Sequence, residues 1–251
     1  MGPDSTCFVQ GASRGIGLEL VRQILVARPE ARVFASCRSP ERADALLRLA
    51  SAIPDRLSVL RVDTSDEQTI GEAAQSVGRE TEKLSLIMNV AGVLHGPDFG
   101  PEKKLDQIRP EVLRLSFEVN AFGPLLVAKH FHGFLRHHDR SVFASLSARV
   151  GSISDNRLGG WYSYRGSKAA QNMFTKNLSI ELGRLAPQAI VVGLHPGTVD
   201  TDLSKPFQRN VPQTQLQSPR ASVTALLQVV DSLGPEDTGR VFDFRGQEIP
   251  P

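Results

Sequence analysis

The sequence predicts a doubly wound α/β fold, a parallel sheet with helices on both faces, and three observations carry that prediction. Short β-branched runs alternate with amphipathic helical stretches along nearly the whole chain, the first strand passes into the first helix through a glycine-rich turn, and no linker or repeat interrupts the series. Element by element, STCFVQ leads into the helix RGIGLELVRQILVA, RVFAS into PERADALLRLAS, and LSVLRV into DEQTIGEAAQSVGRE. There follow a strand in LSLIMNVAG, a long helical stretch over about 106–137, the strand SVFASLS, a helix from about 163 to 185 and the strand AIVVGLHPG. From 198 to 218 the periodicity lapses and Pro and Gln accumulate, before a helix near 219–233 and a short strand in GRVFDF. At 251 residues and 40% hydrophobic content the chain reads as one domain, 1–251.

The 29 Lys and Arg side chains nearly balance 27 Asp and Glu, and the two signs intermingle, which argues against a nucleic-acid or membrane partner. Cys7 and Cys37 lie in apolar, strand-like runs and read as buried, reduced thiols, because a chain with this much core needs no lone disulfide. No apolar run approaches the ~18 residues of a membrane span, and the amino terminus lacks the apolar segment of a signal peptide. The expected location is cytoplasmic, with mitochondrial import left open. MGPDST matches an N-myristoylation pattern in form, but Pro3 and the immediate start of the first strand argue for a chance match.

In FVQGASRGIGLEL, Gly11, Gly15 and Gly17 stand between strand and helix, with Ser13, Arg14 and Ile16 among them. Glycines there permit a tight turn and a close approach of backbone N–H groups to a pyrophosphate, which the positive end of the helix dipole favours. The spacing is Gly-x-x-x-Gly-x-Gly and not the G-x-G-x-x-G fingerprint. Such turns are also built for structural reasons alone, so its place in the first βα turn is what points to a Rossmann-like dinucleotide site. The second strand ends ASCRSP, where an acidic residue would accept hydrogen bonds from a ribose and select NAD. Arg38 stands there instead, and with Arg14 it offers two guanidiniums to a 2′-phosphate, which favours NADP(H) and leaves NAD(H) open. Asp63, ending the third strand, either faces the adenine or caps the next helix. NVAG, from Asn89 through Ala91 to Gly92, ends the fourth strand at the carboxyl edge, where open parallel sheets bind ligands.

WYSYRGSKAA holds both tyrosines of the chain. On a helix Tyr164 and Lys168 share a face, whereas Tyr162 has only Gly166 at that spacing. A phenol with its usual pKa of about 10 transfers protons poorly near neutral pH, and a fixed ammonium beside it would move it down toward the working range. A surface helix carries such a pair by chance often enough that the rest of the chain must decide. KHFHGFLRHH gathers His130, His132, His137 and His138 without the paired spacing and third ligand of a zinc site, so it reads as a surface helix end and no metal is expected. His95, Trp161 and Tyr162 either border a pocket or simply pack.

Together these residues resemble the short-chain dehydrogenase/reductase family over nearly the whole chain. The marks are the Gly11, Gly15, Gly17 turn, Asp63, NVAG, Asn120 in FEVNAFGP, the Tyr164 and Lys168 pair, and HPGTVDT with Pro196, Gly197, Thr198 and Thr201. GSISDNRLGGWYSYRGSKAAQN and GRVFDFRGQEIP are similar to its C-factor-like carbonyl reductase branch. The resemblance implies an NADPH-dependent reductase of a small carbonyl compound. Tyr164 would be the general acid/base, Lys168 would lower its pKa and hold the nicotinamide ribose, and Asn120 would hold a water joining Lys168 to solvent. Pro196 and Thr198 would line the nicotinamide pocket, Asn89 and Gly92 would lie near the adenosine ribose, and 198–218 would be a substrate lid. Family members commonly form homodimers through the two long helices, although the branch includes monomers.

Two departures stand out. Gln10 replaces the usual Thr before the first glycine, and its amide can take over the hydroxyl's structural hydrogen bond. LSARVGS replaces the paired serines after the fifth strand, and counting back from Gly151 puts Ala148 in the slot of the serine that hydrogen-bonds the substrate carbonyl. Ser147 is expected to serve through a small backbone shift. If that donor is lost, the competing expectation is a dinucleotide-binding regulatory or interaction protein with weak or lost catalysis.

Overall fold

Alternation along the first strand turns Cys7 and Val9 to one face and Phe8 to the other, and all three are fully buried. A strand covered on both faces belongs inside a parallel sheet. The computed structural model describes Gly2 and residues 4–251, and the amino-terminal acylation pattern runs through Met1 and Pro3, which lie outside them. Seven parallel strands form the sheet: β1 (Thr6–Gln10), β2 (Arg32–Cys37), β3 (Leu57–Arg61), β4 (Leu86–Asn89), β5 (Ser141–Leu146), β6 (Ala189–His195) and β9 (Val241–Asp243). Their order is β3-β2-β1-β4-β5-β6-β9, a Rossmann-like doubly wound arrangement.

Helices α1 (Gly15–Ala27), α2 (Asp44–Ala52) and α7 (Pro219–Ser232) cover one face, where Val9, Ala35, Met88 and Val192 pack with Ile24, Leu46 and Val230. On the other face α3 (Glu67–Gly78), α5 (Gly123–Phe131) and α6 (Tyr162–Leu185) pack with Phe8, Phe34, Ile87 and Phe143 through Ile70, Val127, Phe131 and Leu182. The Phe8 and Phe131 rings stack at 4.2 Å across that interface. The strand order reverses between β1 and β4, which opens a crevice at the carboxyl edge where Gln10, Ser36 and Asn89 stand in register.

The long helix expected over 106–137 is broken. A single 3₁₀ turn at Leu105–Gln107 precedes α4 (Pro110–Phe117), a π turn spans Glu118–Phe122, and α5 ends in another 3₁₀ turn at His132–Leu135. Pro110 suits a first helical turn because it has no N–H to lose there. Pro124 cannot donate to the carbonyl of Asn120, so the ladder widens locally and Asn120 is carried on the bulge. The irregular segment is pinned at its base by a second parallel pair, β7 (Thr198–Val199) with β8 (Leu216–Gln217), whose two-residue strands are too short to show a period. Cys7 and Cys37 are free and buried, and burial pushes the Cys7 thiol up to about 12. Among the described residues no helix is long and apolar enough to cross a membrane.

Candidate active site

The first βα turn needs its glycines. Gly11 sits at φ +85°, and a Cβ there would come within 2.5 Å of the Ala91 nitrogen. A side chain at Gly17 would run into the Gly11 carbonyl. Arg14, at the N-cap of α1, is extended and makes no side-chain cap, so the first amides of the helix are left for an anion. Beside them runs a groove of about 810 Å³ lined by Gly11, Ser13, Arg14, Gly15, Ile16, Arg38, Asp63, Ala91, Gly92 and Thr201. A cradle that any Cβ would fill, uncapped amides and two exposed guanidiniums at its rim fit a phosphorylated dinucleotide.

Several expected cofactor residues do not line the groove and support it instead. Gly17 lies against the underside of the turn, and Asn89 is buried with Nδ2 donating to Ser145 Oγ at 3.2 Å. The Pro196 carbonyl accepts the Ser222 hydroxyl at 2.8 Å, Gly197 turns at φ +78° against Gln217, and Thr198 opens β7. Gln10 Oε1 accepts the Ala91 N–H at 3.1 Å, tying the ends of β1 and β4 together. The Asp63 carboxylate accepts both the N–H and the hydroxyl of Ser65, while Asp66 caps α3 through the Gln68 N–H. Alternation and motif spacing gave no sign of Thr64, Phe99 or Asp202 on the groove wall, because loops bring them there.

Tyr164 and Lys168 stand on the first turns of α6, with Nζ 5.9 Å from the phenol ring centroid. Lys168 is buried and donates to the Leu146 carbonyl at 2.6 Å and to Gln171 Oε1 at 2.9 Å. Burial pulls its ammonium down to about 7 and pushes the Tyr164 phenol up to about 12. The lowered phenol expected of the pair is therefore reversed in this structure. Loss of solvent raises the acid and lowers the base, and the lysine spends its N–H groups on neutral acceptors. Asn120 is also buried: Oδ1 accepts the Val93 N–H at 2.8 Å, and Nδ2 donates to the Val93 carbonyl and to Ser167 Oγ. The π turn thus ties the loop after β4 to α6. A Cβ at Gly92 would lie 3.3 Å from Asn120 Oδ1 and 4.0 Å from Lys168 Nζ, so the groove reaches buried Asn120 and Lys168 there.

Ser147 is buried, and its hydroxyl donates to Asn172 Oδ1 on α6 at 2.6 Å. Ala148 follows it in extended conformation. In front of Tyr164 stands Trp161, its ring edge-on at 6.2 Å, and Phe207 packs on Trp161 at 5.3 Å and on His95 at 5.7 Å. The His95 ring contacts the Asp202 carbonyl at 3.1 Å, and Asp202 pairs with Arg14 at 3.0 Å across the groove. His95 and Trp161 therefore border the site, whereas Tyr162 is exposed. His130, His132 and His137 each turn to a different partner, and among the described residues no three His, Cys, Asp or Glu side chains converge on a metal position.

The sequence model described as short chain dehydrogenase matches residues 5–212. The chain belongs to the short-chain dehydrogenase family. This dehydrogenase is 32% identical to an uncharacterised oxidoreductase of Schizosaccharomyces pombe, across 97% of this chain and 96% of that one. It is 40% identical to the C-signal protein of Myxococcus xanthus over 68% of this chain and 94% of the other. Its fold matches the NADPH-bound carbonyl reductase from chicken fatty liver with a TM-score of 0.88 and 30% identity, covering 100% of both chains. It is an NAD(P)-dependent oxidoreductase.

Proposed function

We propose that this short-chain dehydrogenase reduces a small carbonyl compound to an alcohol with NADPH, using Tyr164 as the general acid/base. The observation that carries the reading is the set of half-buried Tyr164 with buried Lys168 and Asn120, joined through Ser167 and Val93 to the end of a phosphate-ready groove. The reduced nicotinamide supplies the hydride when bound. Backbone amides from Ser13 to Ile16 hold the pyrophosphate, and Arg14 and Arg38 hold the 2′-phosphate. Asp63, Asn89, Ala91 and Gly92 support the adenosine end, and Pro196, Gly197, Thr198 and Thr201 the nicotinamide end.

Tyr164 gives its proton to the substrate oxygen, and Lys168, whose ammonium titrates near 7 in its buried setting, returns one. Asn120 keeps the loop at Val93 in place beside that lysine and supports proton resupply. For Ser147 to polarise the carbonyl as well, its hydroxyl must leave Asn172. The exposed apolar side chains of Phe122, Leu125 and Met173, on and beside α5 and α6, support a homodimer through that face.

Purified protein with NADPH across aldehydes, diketones and quinones tests the reading. Tyr164→Phe is expected to lower kcat by about 10²–10⁴ with NADPH affinity unchanged, and full activity in that variant overturns the assignment. The missing hydroxyl at Ala148, with the Ser147 proton held by Asn172, favours a second reading, a dinucleotide-binding protein with lost catalysis. Tight NADPH binding without turnover of any carbonyl is its signature.

A further inference from the structure

Trp161 is the sole non-glycine residue at positive φ among the described residues, at +52°, and it follows Gly159 and Gly160, also left-handed. A bulky side chain resists that conformation and holds it only where its surroundings over-determine it. Here the Trp161 N–H donates to the Glu102 carbonyl at 2.5 Å. The buried Glu102 carboxylate also accepts the N–H of Ser163 at 3.1 Å, and the Ser163 hydroxyl donates to it as well. One residue thus locks the entry to α6 and aims the indole at Tyr164.

Phe207 arrives from the loop between β7 and β8 and lies against both Trp161 and His95. The inner side of this cover is therefore aromatic, and it faces an aromatic wall next to the proton donor. With no hydroxyl at Ala148 and the Ser147 proton donated to Asn172, little here steers a carbonyl by hydrogen bonding other than Tyr164 itself. Orientation must then come from the shape and stacking of the substrate body.

We propose that Trp161 and Phe207 set substrate specificity, selecting carbonyl compounds whose carbonyl is attached to a flat apolar ring system. This rests on the reductase reading above. A ring slid between or onto these two gains face and edge contacts that a short alkyl chain does not provide.

The test compares kcat/KM for naphthaldehyde and propanal, with NADPH, in the wild type, Trp161→Gly, Trp161→Phe and Phe207→Ala. Glycine at 161 relieves the left-handed strain, so that variant keeps the fold while losing the ring. The wild type is expected to prefer naphthaldehyde at least tenfold. Trp161→Gly and Phe207→Ala are expected to cut that preference tenfold or more, chiefly through KM, with NADPH affinity within twofold, and Trp161→Phe to retain most of it. Equal losses on both aldehydes, or propanal turned over as well as naphthaldehyde by the wild type, overturn the specificity assignment and leave the reductase standing. A wild type that binds NADPH and turns over neither aldehyde overturns this assignment, and one that also turns over no diketone or quinone overturns the reductase reading with it.

Discussion

Lys168 and Tyr164 carry opposite shifts for one reason, and each shift has a consequence for stability. The folded Lys168 titrates at about 7, well below its ordinary ~10.4. Between those values the unfolded chain binds more protons than the folded one, so stability rises with pH from about 7 to about 10. Tyr164 contributes with the other sign, since its folded value of about 12 exceeds the ordinary ~10, and that contribution is lost as pH climbs from about 10 to 12. Urea unfolding at pH 7, 8, 9 and 10 is expected to show the rise in the wild type and a flatter profile in Lys168→Met. Ala148→Ser restores a donor next to one already engaged with Asn172. We expect a rate gain of about 10² in that variant, since a single oxyanion-type donor is worth roughly 10²–10³, and an unchanged rate means that Ser147 already serves.

Two element-level devices hold the site. The glycine turn is one: a methyl at 17 would meet the Gly11 carbonyl, backbone that cannot swing aside. Gly17→Ala is expected to destabilise by about 1–3 kcal/mol and to weaken dinucleotide binding, read by denaturant midpoint and titration calorimetry. The π turn at Glu118–Phe122 is the other. Pro124→Ala restores an N–H and lets the ladder close to regular α geometry, which carries Asn120 away from Val93 and Ser167. We expect at least a tenfold fall in kcat/KM with little loss of thermal stability, and the reverse pattern would separate Asn120's position from the turn.

Across the whole molecule the groove is assembled from the first turn, the end of β2, the loop after β4 and the loop after β7, so a dinucleotide held there would bridge parts remote in sequence. Arg14 and Asp202 already span it, but both are mostly exposed, 77% and 67%, and such a pair is worth little, so it yields readily to a phosphate. NADPH at a hundred times its Kd is expected to stabilise the fold by about 2.7 kcal/mol. At equal concentration NADH is expected to give a smaller thermal shift, and replacing both Arg14 and Arg38 by Ala to reduce the NADPH shift to the NADH one. Equal shifts in the wild type count against the 2′-phosphate assignment.

Strand and helix periods, the glycines of the first turn and the Tyr164 and Lys168 spacing were legible in the sequence because each is set by residues a few positions apart. Those patterns carried the parallel sheet, its carboxyl-edge groove and the helix α6 that bears Tyr164 and Lys168. The break at the π turn was half legible, since Pro124 is visible but its effect on Asn120 depends on the helix it interrupts. The direction of the Tyr164 and Lys168 shifts, the capture of Ser147 by Asn172, and the meeting of Trp161 with Phe207 were settled by packing. Solvent exclusion and contacts between distant segments, such as Arg14 with Asp202 across 188 positions, arise when the chain closes on itself, and no local pattern encodes them.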